Sequence, residues 1–450
     1  MPERRLWRDW DTQTQVRETH SEMTDFGEAC KDRGKANDTA TLAAKALSES
    51  AGLLRAPQRV LPLIQRLVSD KIRVTFEQTH LYSYTAAKRP SGKMLRACIA
   101  WILNAQRPDG GIAAYYSLLT GYSESYPEVT GYIVPTLYDF ARTPNQSGSV
   151  LAPERAIRWL LSLQTPEGAF PGGLGCADAA PSVFNTGQIL HGLVRAHRET
   201  NRSDVLQSAS AAGKWLLQMQ QPDGSWSGLG AYQRAAHSYY SMVAWSLAEL
   251  SEHTGDRQYA FGAGRNLDWT LSHFRPSGWV DGIHLQGHSN YLHFIAYVLQ
   301  GVLECGILQR RADAIDAVAK SAWVLLRKFE TNKHLPGAYD RDFKGAKRFT
   351  CLTGNAQMSC VWLRLFEITD DLRYLNAALK MNEMLKQLIP WRGGPGIAGG
   401  VSGSFPVWGR YQPLRYISWG CKFFADALLS EQRLTRSFDM REFTALSCAS

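Results

Sequence analysis

Apolar residues follow a helical spacing in two alternating kinds of segment. The first kind is amphipathic and keeps a charged face, as in Asp204–Gln220 and Arg373–Leu388. Its end is marked by a tryptophan, in Ala100-Trp101-Ile102-Leu103, Arg158-Trp159-Leu160-Leu161, Lys214-Trp215-Leu216-Leu217, Asp268-Trp269-Thr270-Leu271 and Ala322-Trp323-Val324-Leu325; Met384-Leu385 takes that place in a sixth copy. The tryptophans stand 58, 56, 54 and 54 residues apart, and the step from Trp323 to Leu385 is 62. The second kind is apolar on nearly every side: Glu128–Phe140, Asn185–His197, His237–Leu250, Asn290–Leu303, Asn355–Glu367 and Tyr416–Leu429. A helix apolar all round belongs inside, and one with a charged face belongs outside. A recurring unit of this kind buries its face only against its neighbours. Six hairpins of inner and outer helices predict an all-α fold, an (α/α)6 toroid over residues 91–432. A linear solenoid fits less well, because its units usually run about 34–47 residues and lack a long glycine-rich loop after each pair.

After the first three tryptophans the chain reads Gln106-Arg107-Pro108-Asp109-Gly110, Gln164-Thr165-Pro166-Glu167-Gly168 and Gln221-Pro222-Asp223-Gly224-Ser225-Trp226. These are helix stops: proline has no N–H to give, and glycine accepts positive φ. Ahead of the repeat, residues 1–38 are polar and read as disordered, and 39–90 read as a helical extension with helices at Thr39–Leu54 and Gln58–Val68. Residues 433–450 read as a tail.

Composition narrows the class. Of 450 residues, 44% are apolar and 20% charged, enough to build a core and unlike a disordered chain. The most apolar stretch, Tyr291–Leu308, is broken by His293, Gln300 and Glu304, which argues against a membrane span. Met1–Gln15 holds no apolar run of the secretory kind, so a cytoplasmic location is expected. The eight cysteines are scattered and never form CxxC, which reads as free thiols. Fifty Lys and Arg against 41 Asp and Glu leave +9. That excess reads first as a solvated surface and second as attraction to an acidic glycan or a phosphate-bearing lipid carrier. Nucleic acid is not expected, since there is no Cys/His finger and no strong basic run interleaved with aromatics.

Two linkers, Glu252-His253-Thr254-Gly255-Asp256-Arg257-Gln258-Tyr259 and Glu367-Ile368-Thr369-Asp370-Asp371-Leu372-Arg373-Tyr374-Leu375, resemble the E-x-T-G-D-x-x-Y-L link between hairpins of six-hairpin carbohydrate enzymes. That class includes glycoside hydrolases, polysaccharide lyases and sugar epimerases. The Gln-Pro-Asp-Gly-Ser-Trp segment resembles the QW repeat of terpene cyclases, whose α-toroid is related. Cys351-Leu352-Thr353-Gly354-Asn355-Ala356-Gln357 and Gly403-Ser404-Phe405-Pro406-Val407-Trp408-Gly409-Arg410-Tyr411 look like segments of proteins from bacterial exopolysaccharide-biosynthesis clusters. The cyclase resemblance implies an acid in a D-x-D-D run; Asp340-Arg341-Asp342-Phe343 lacks its last aspartate.

In a ring of inner helices the N-termini line one mouth, where partial positive charge and free N–H groups suit an anionic or polyhydroxylated ligand. The polar residues of the inner segments fall there. Glu128, Asp340, His237 and Tyr239 are the catalytic candidates; Tyr132, Gln188, His288, Asn355, Trp408, Arg410 and Tyr411 are the substrate-binding candidates. Glu128 and Tyr132 share a helix face. Glu128 is also an ordinary first-turn acid, His237 an ordinary cap, and Asn185 an ordinary N-cap by type. His284, His288 and His293 fall within ten residues, but there is no HExxH, so substrate contacts are preferred to a metal; neither metal nor other cofactor is expected. Trp408 offers an aromatic face and Arg410 a bidentate fork for a carboxylate.

Glycosidic hydrolysis needs two carboxylates, which Glu128 with Asp340 or Asp281 would supply. Uronate elimination or epimerisation needs a Tyr or His base and groups that neutralise a carboxylate, for which His237, Tyr239, His288, Asn355 and Arg410 qualify. The expectation is a carbohydrate-active enzyme that processes a bacterial polysaccharide or its precursor, with hydrolysis slightly ahead of elimination or epimerisation. A non-catalytic glycan-binding or assembly protein and a terpenoid cyclase are the alternatives. The expected partner is an oligo- or polysaccharide, acidic polymers included, and membrane-associated polysaccharide-biosynthesis machinery is a second candidate.

Overall fold

A computed structural model describes residues 59–77, 89–143, 150–174, 179–283, 290–346 and 348–448, without the side chains of 73–77 and 437–448. The expected disordered segment 1–38, the expected helix Thr39–Leu54, and His284 and His288 lie outside the described residues.

After a leading helix α1 (Val60–Glu77), outer and inner helices alternate. The outer ones are α2 (Ser91–Ala105), α4 (Leu151–Leu161), α6 (Ser203–Met219), α8 (Arg257–Leu271), α10 (Ala312–Asn332) and α12 (Leu372–Leu388). The inner ones are α3 (Pro127–Ala141), α5 (Val183–Thr200), α7 (Ser241–Thr254), α9 (Leu292–Leu308), α11 (Leu352–Thr369) and α13 (Ser418–Cys448). Each inner helix packs on the next, α13 packs on both α3 and α2, and the ring closes. This is the (α/α)6 toroid that the repeat predicts. The last inner helix runs on without interruption through residues 433–448.

The repeated motifs have a physical explanation. The amide Nε2 of Gln106 donates to its own turn at the Gly110 carbonyl and to the next outer helix at the Ala152 carbonyl, both at 2.9 Å. Gln164 does the same with Gly168 and Ser208 at 2.9 Å, and Gln220 with Gly224 at 3.0 Å and Gly262 at 2.8 Å. One side chain thus staples each stop to the following unit. In the Thr-Gly-Asp linker, Asp256 caps the next helix by accepting from the Gln258 N–H at 2.9 Å, and Asp371 accepts from Arg373 at 2.9 Å. Tyr259 and Tyr374 reach back to carbonyls of the preceding outer helices, Ser210 at 3.2 Å and Ala319 at 3.3 Å.

Glycines let the inner helices approach. A Cβ on Gly131 would stand 2.4 Å from the Ile189 Cα of the next helix, and one on Gly301 would stand 2.5 Å from the Ser241 carbonyl carbon.

The closing seam is polar. The Lys386 ammonium, fully buried, lies 2.5 Å from Glu383 and 2.8 Å from Ser91 Oγ. Ser91 donates to Glu431 at 2.5 Å, and Asn382 donates to the other oxygen of Glu431 at 2.8 Å. Groups from α2, α12 and α13 are thereby tied together.

Short links join inner to outer helices at one end; long loops join outer to inner helices at the other, the mouth. Strands β1 (Tyr115–Ser117), β2 (Gly121–Tyr122), β3 (Thr350–Cys351), β4 (Ser404–Phe405) and β5 (Arg415–Ile417) brace those loops. Antiparallel β1–β5 pairing sets Tyr116 opposite Tyr416 and joins the first loop to the last; β3–β4 pairing sets Cys351 opposite Ser404. Helix α1 docks on the same end: buried Asp70 accepts from the Val407 N–H at 2.8 Å and pairs with Arg66 at 3.1 Å. Among the described residues no helix is long and apolar enough to cross a membrane. Cys98, Cys305, Cys351, Cys360 and Cys421 are free thiols.

Candidate functional site at the mouth

Glu128 sits in the first turn of α3, behind Pro127, and is 6% exposed. Its Oε2 accepts from the Tyr126 hydroxyl at 2.6 Å. The Tyr126 and Tyr232 hydroxyls are 3.3 Å apart, and Tyr232 donates to Asn185 Oδ1 at 3.2 Å. Burial favours the neutral acid and pushes the Glu128 carboxyl up to about 7; the Tyr126 hydrogen bond opposes that rise. The result is a carboxyl that exchanges its proton near neutrality.

Aromatic rings surround this acid. Phe184 stands edge-on to Tyr239 and Tyr297, with centroids 5.1 and 5.5 Å away. His237 stacks on Tyr239 at 5.0 Å, and Tyr411 lies 5.1 Å from Tyr291 and 5.8 Å from His293. Burial raises the hydroxyls of Tyr126, Tyr132, Tyr239, Tyr297 and Tyr411 well above the usual phenol value, with the Glu128 charge adding to it. Near neutral pH these phenols are hydrogen-bond donors. Burial pushes His293 down to about 3, so it is a neutral imidazole. Its Nδ1 donates to Gln357 Oε1 at 3.0 Å, which leaves Nε2 as the basic nitrogen; Gln357 Nε2 in turn donates to Gln300 Oε1 at 2.8 Å.

The mouth gathers Glu128, Tyr132, Tyr239 and Tyr411 from the sequence candidates, with His237 stacked against Tyr239. His237 precedes a short 3-10 turn, Ser238–Tyr240, rather than opening α7 itself, and its Nε2 lies 3.0 Å from the Tyr232 carbonyl. Other candidates are placed differently. Asp340 is exposed, and its Oδ1 accepts from the Asp342 and Lys344 N–H groups of its own loop at 3.0 and 2.8 Å. Asp281 is paired with Arg275 and Arg341. Asn355 spends its amide on backbone: Oδ1 accepts from the Leu335 N–H at 3.1 Å, and Nδ2 donates to the Leu335 and Cys351 carbonyls at 3.1 and 2.8 Å. Trp408 is exposed and Arg410 half-buried on the loop before α13. Gln188 faces a cavity at the opposite end of the ring.

Sequence reading missed Tyr232 and Tyr297; it singled out His293 but not the hydrogen-bonded link that runs from it through Gln357 to Gln300. Tyr297 and Gln300 lie inside an apolar run, where only the fold shows which face points inward. Tyr232 lies in a loop without periodicity. Among the described residues no group of three or more His, Cys, Asp or Glu is placed to hold a metal.

No family model matches the chain, and no curated protein matches it in sequence. Solved structures do match in fold. An unsaturated glucuronyl hydrolase specific for heparin superposes with a TM-score of 0.60 at 14% identity, covering 77% of this chain and 98% of that one. The cellobiose 2-epimerase of Spirochaeta thermophila gives 0.62 at 13%, over 77% and 96%. A D-mannose isomerase gives 0.58 at 11%, over 76% and 97%. The likeness is one of fold: the chain shares the (α/α)6 toroid of these carbohydrate-active enzymes.

Proposed function

We propose that the protein is a carbohydrate-active enzyme whose chemistry is proton transfer at a sugar carbon, of the epimerase or lyase kind, carried out in the Glu128 chamber. The observation that carries this reading is Glu128 itself, a buried carboxyl held at about 7 with a phenol donating to it. Epimerisation and β-elimination both remove a proton from carbon beside a carbonyl or carboxylate. They need a base that also returns protons near neutrality, and donors for the oxyanion that forms. Glu128 suits the first role; Tyr411 suits the second, since its hydroxyl accepts from Trp419 Nε1 at 2.9 Å and keeps its own proton to donate, whereas Tyr126 and Tyr232 donate theirs to Glu128 and Asn185. Tyr239, Tyr411 and His237 form the wall against which a sugar would pack.

Hydrolysis, the reaction slightly favoured by the sequence, has less support. It needs a second carboxylate about 5–9.5 Å from the first. Burial and Tyr126 are what set the Glu128 proton affinity, while Asp281 and Asp340 are engaged elsewhere. A second reading rests on the aromatic wall: a lone protonated acid among aromatic rings also suits protonation of an isoprenoid.

The test is incubation of the purified protein with uronate-containing and neutral oligosaccharides in deuterated water, followed by NMR. Deuterium at one ring carbon, absent with Glu128→Gln, is the expected result. New reducing ends without deuterium would replace proton transfer by hydrolysis. Inertness toward every sugar, with turnover of a polyprenyl substrate, would transfer the site to the second reading.

A further inference from the structure

At the end of the ring opposite the mouth, the last turns of the inner helices enclose a cavity of about 770 Å³, a usual size for a small-molecule site. It opens to solvent beside Asp139, Arg142 and Arg436 and reaches inward to Tyr132, Gln188 and Gln300. Tyr132 and Gln300 lie on the side toward the Glu128 chamber, while Gln188, His191 and Trp245 line this cavity and take no part in that chamber.

Its depth holds polar groups that nothing in the protein satisfies. Gln188 is fully buried, and neither its Oε1 nor its Nε2 has a hydrogen-bond partner. His191, three residues on along α5, holds Nδ1 2.6 Å from Glu249, while its buried Nε2 has no partner. A buried amide with both ends unmet is strongly disfavoured unless something enters to meet it.

The lining also says what kind of molecule fits. The charges along its walls are matched, Lys422 with Asp426 at 2.8 Å, Arg364 with Glu304 at 3.2 Å, and Arg195 with Asp139 at 2.6 Å, and the lining cation outside such pairs, Arg436, stands exposed at the opening. An anion would find no unspent cation among these pairs. The unmet groups are instead neutral donors and acceptors. Beside them stands half-buried Trp245, its ring 4.4 Å from that of His191, an apolar face with polar neighbours. We propose that this cavity is a second binding site, separate from the Glu128 chamber, for a neutral polyhydroxylated molecule of mono- or disaccharide size.

Titration calorimetry with glucose, cellobiose, glucuronate and phosphate tests it on wild type, Gln188→Leu and Glu128→Gln. Neutral sugar is expected to bind wild type and Glu128→Gln alike. Gln188→Leu is expected to bind at least about tenfold more weakly, with a Tm unchanged or raised, because the substitution removes unmet polar atoms. Trp245→Ala, at the half-buried platform, provides a second variant with the same loss of binding. Failure of wild type to bind either neutral sugar at millimolar concentrations would mean that water alone fills the cavity, and would overturn the proposal. Equal binding by Gln188→Leu and Trp245→Ala, or loss confined to Glu128→Gln, would place the sugar elsewhere and overturn it too. Tighter binding of glucuronate or phosphate than of neutral sugar would refute the ligand class.

Discussion

Replacing Glu128 by glutamine removes a proton-binding site whose affinity differs between the folded and unfolded chains. In the folded protein burial raises the carboxyl from 4.5 to about 7. At about 1.4 kcal/mol per pH unit, that difference corresponds to about 3 kcal/mol. The direction follows from which state binds more protons. Below about pH 4.5 the acid is neutral in both states, and its native environment carries no ionic penalty. As pH rises toward about 7 the unfolded chain ionises first, so the native state loses stability progressively, and by about pH 8 the loss is complete. Glutamine is neutral throughout and still accepts from the Tyr126 hydroxyl. The stability of Glu128→Gln minus that of wild type is therefore expected to rise by about 3 kcal/mol between about pH 4.5 and pH 8. Urea denaturation of both proteins across this range measures it, and the difference cancels the titrations they share. A difference that stays flat with pH would show that Glu128 is ionised and solvated in the folded protein, and would remove the basis for its acid–base role.

Three further outcomes probe the scaffold. Lys386→Ala leaves Glu431 and Glu383 facing one another without their buried cation and is expected to cost about 3–5 kcal/mol in denaturant unfolding, whereas an exposed ion pair would cost under about 1. Gly131→Ala drives a methyl into the α5 backbone at 2.4 Å, so a loss of at least about 2 kcal/mol is expected; a neutral result would mean that α3 and α5 stand further apart. Asp70→Ala strips Arg66 of its partner and Val407 of its acceptor, and is expected to speed hydrogen exchange in α1 and around Val407 while α5 to α11 keep their protection.

The sequence by itself determined the architecture. The tryptophan interval, the two kinds of helix and the Gln-Pro-Asp-Gly stops are local patterns, and each has a local cause: helical periodicity, a backbone turn, or a side chain that reaches one unit ahead. Gln106, Gln164 and Gln220 show why such a pattern repeats, since the same amide meets the same two carbonyls in successive units. Glu128 was legible as well, as an acid in the first turn of an apolar helix. Only the tertiary structure decided its company. Tyr126 is a local neighbour two residues away, but Tyr232 and Tyr239 from the α6–α7 connection, Tyr297 from α9 and Tyr411 from the loop before α13 are brought around the same carboxyl only by the fold. Only the fold decided that Asp340 is exposed and that Asn355 is spent on backbone, because whether a polar side chain is free depends on carbonyls far away in sequence. The proton affinity of Glu128 belongs to the same category: it follows from removal of water by residues from the whole ring, and no spacing along the chain encodes that.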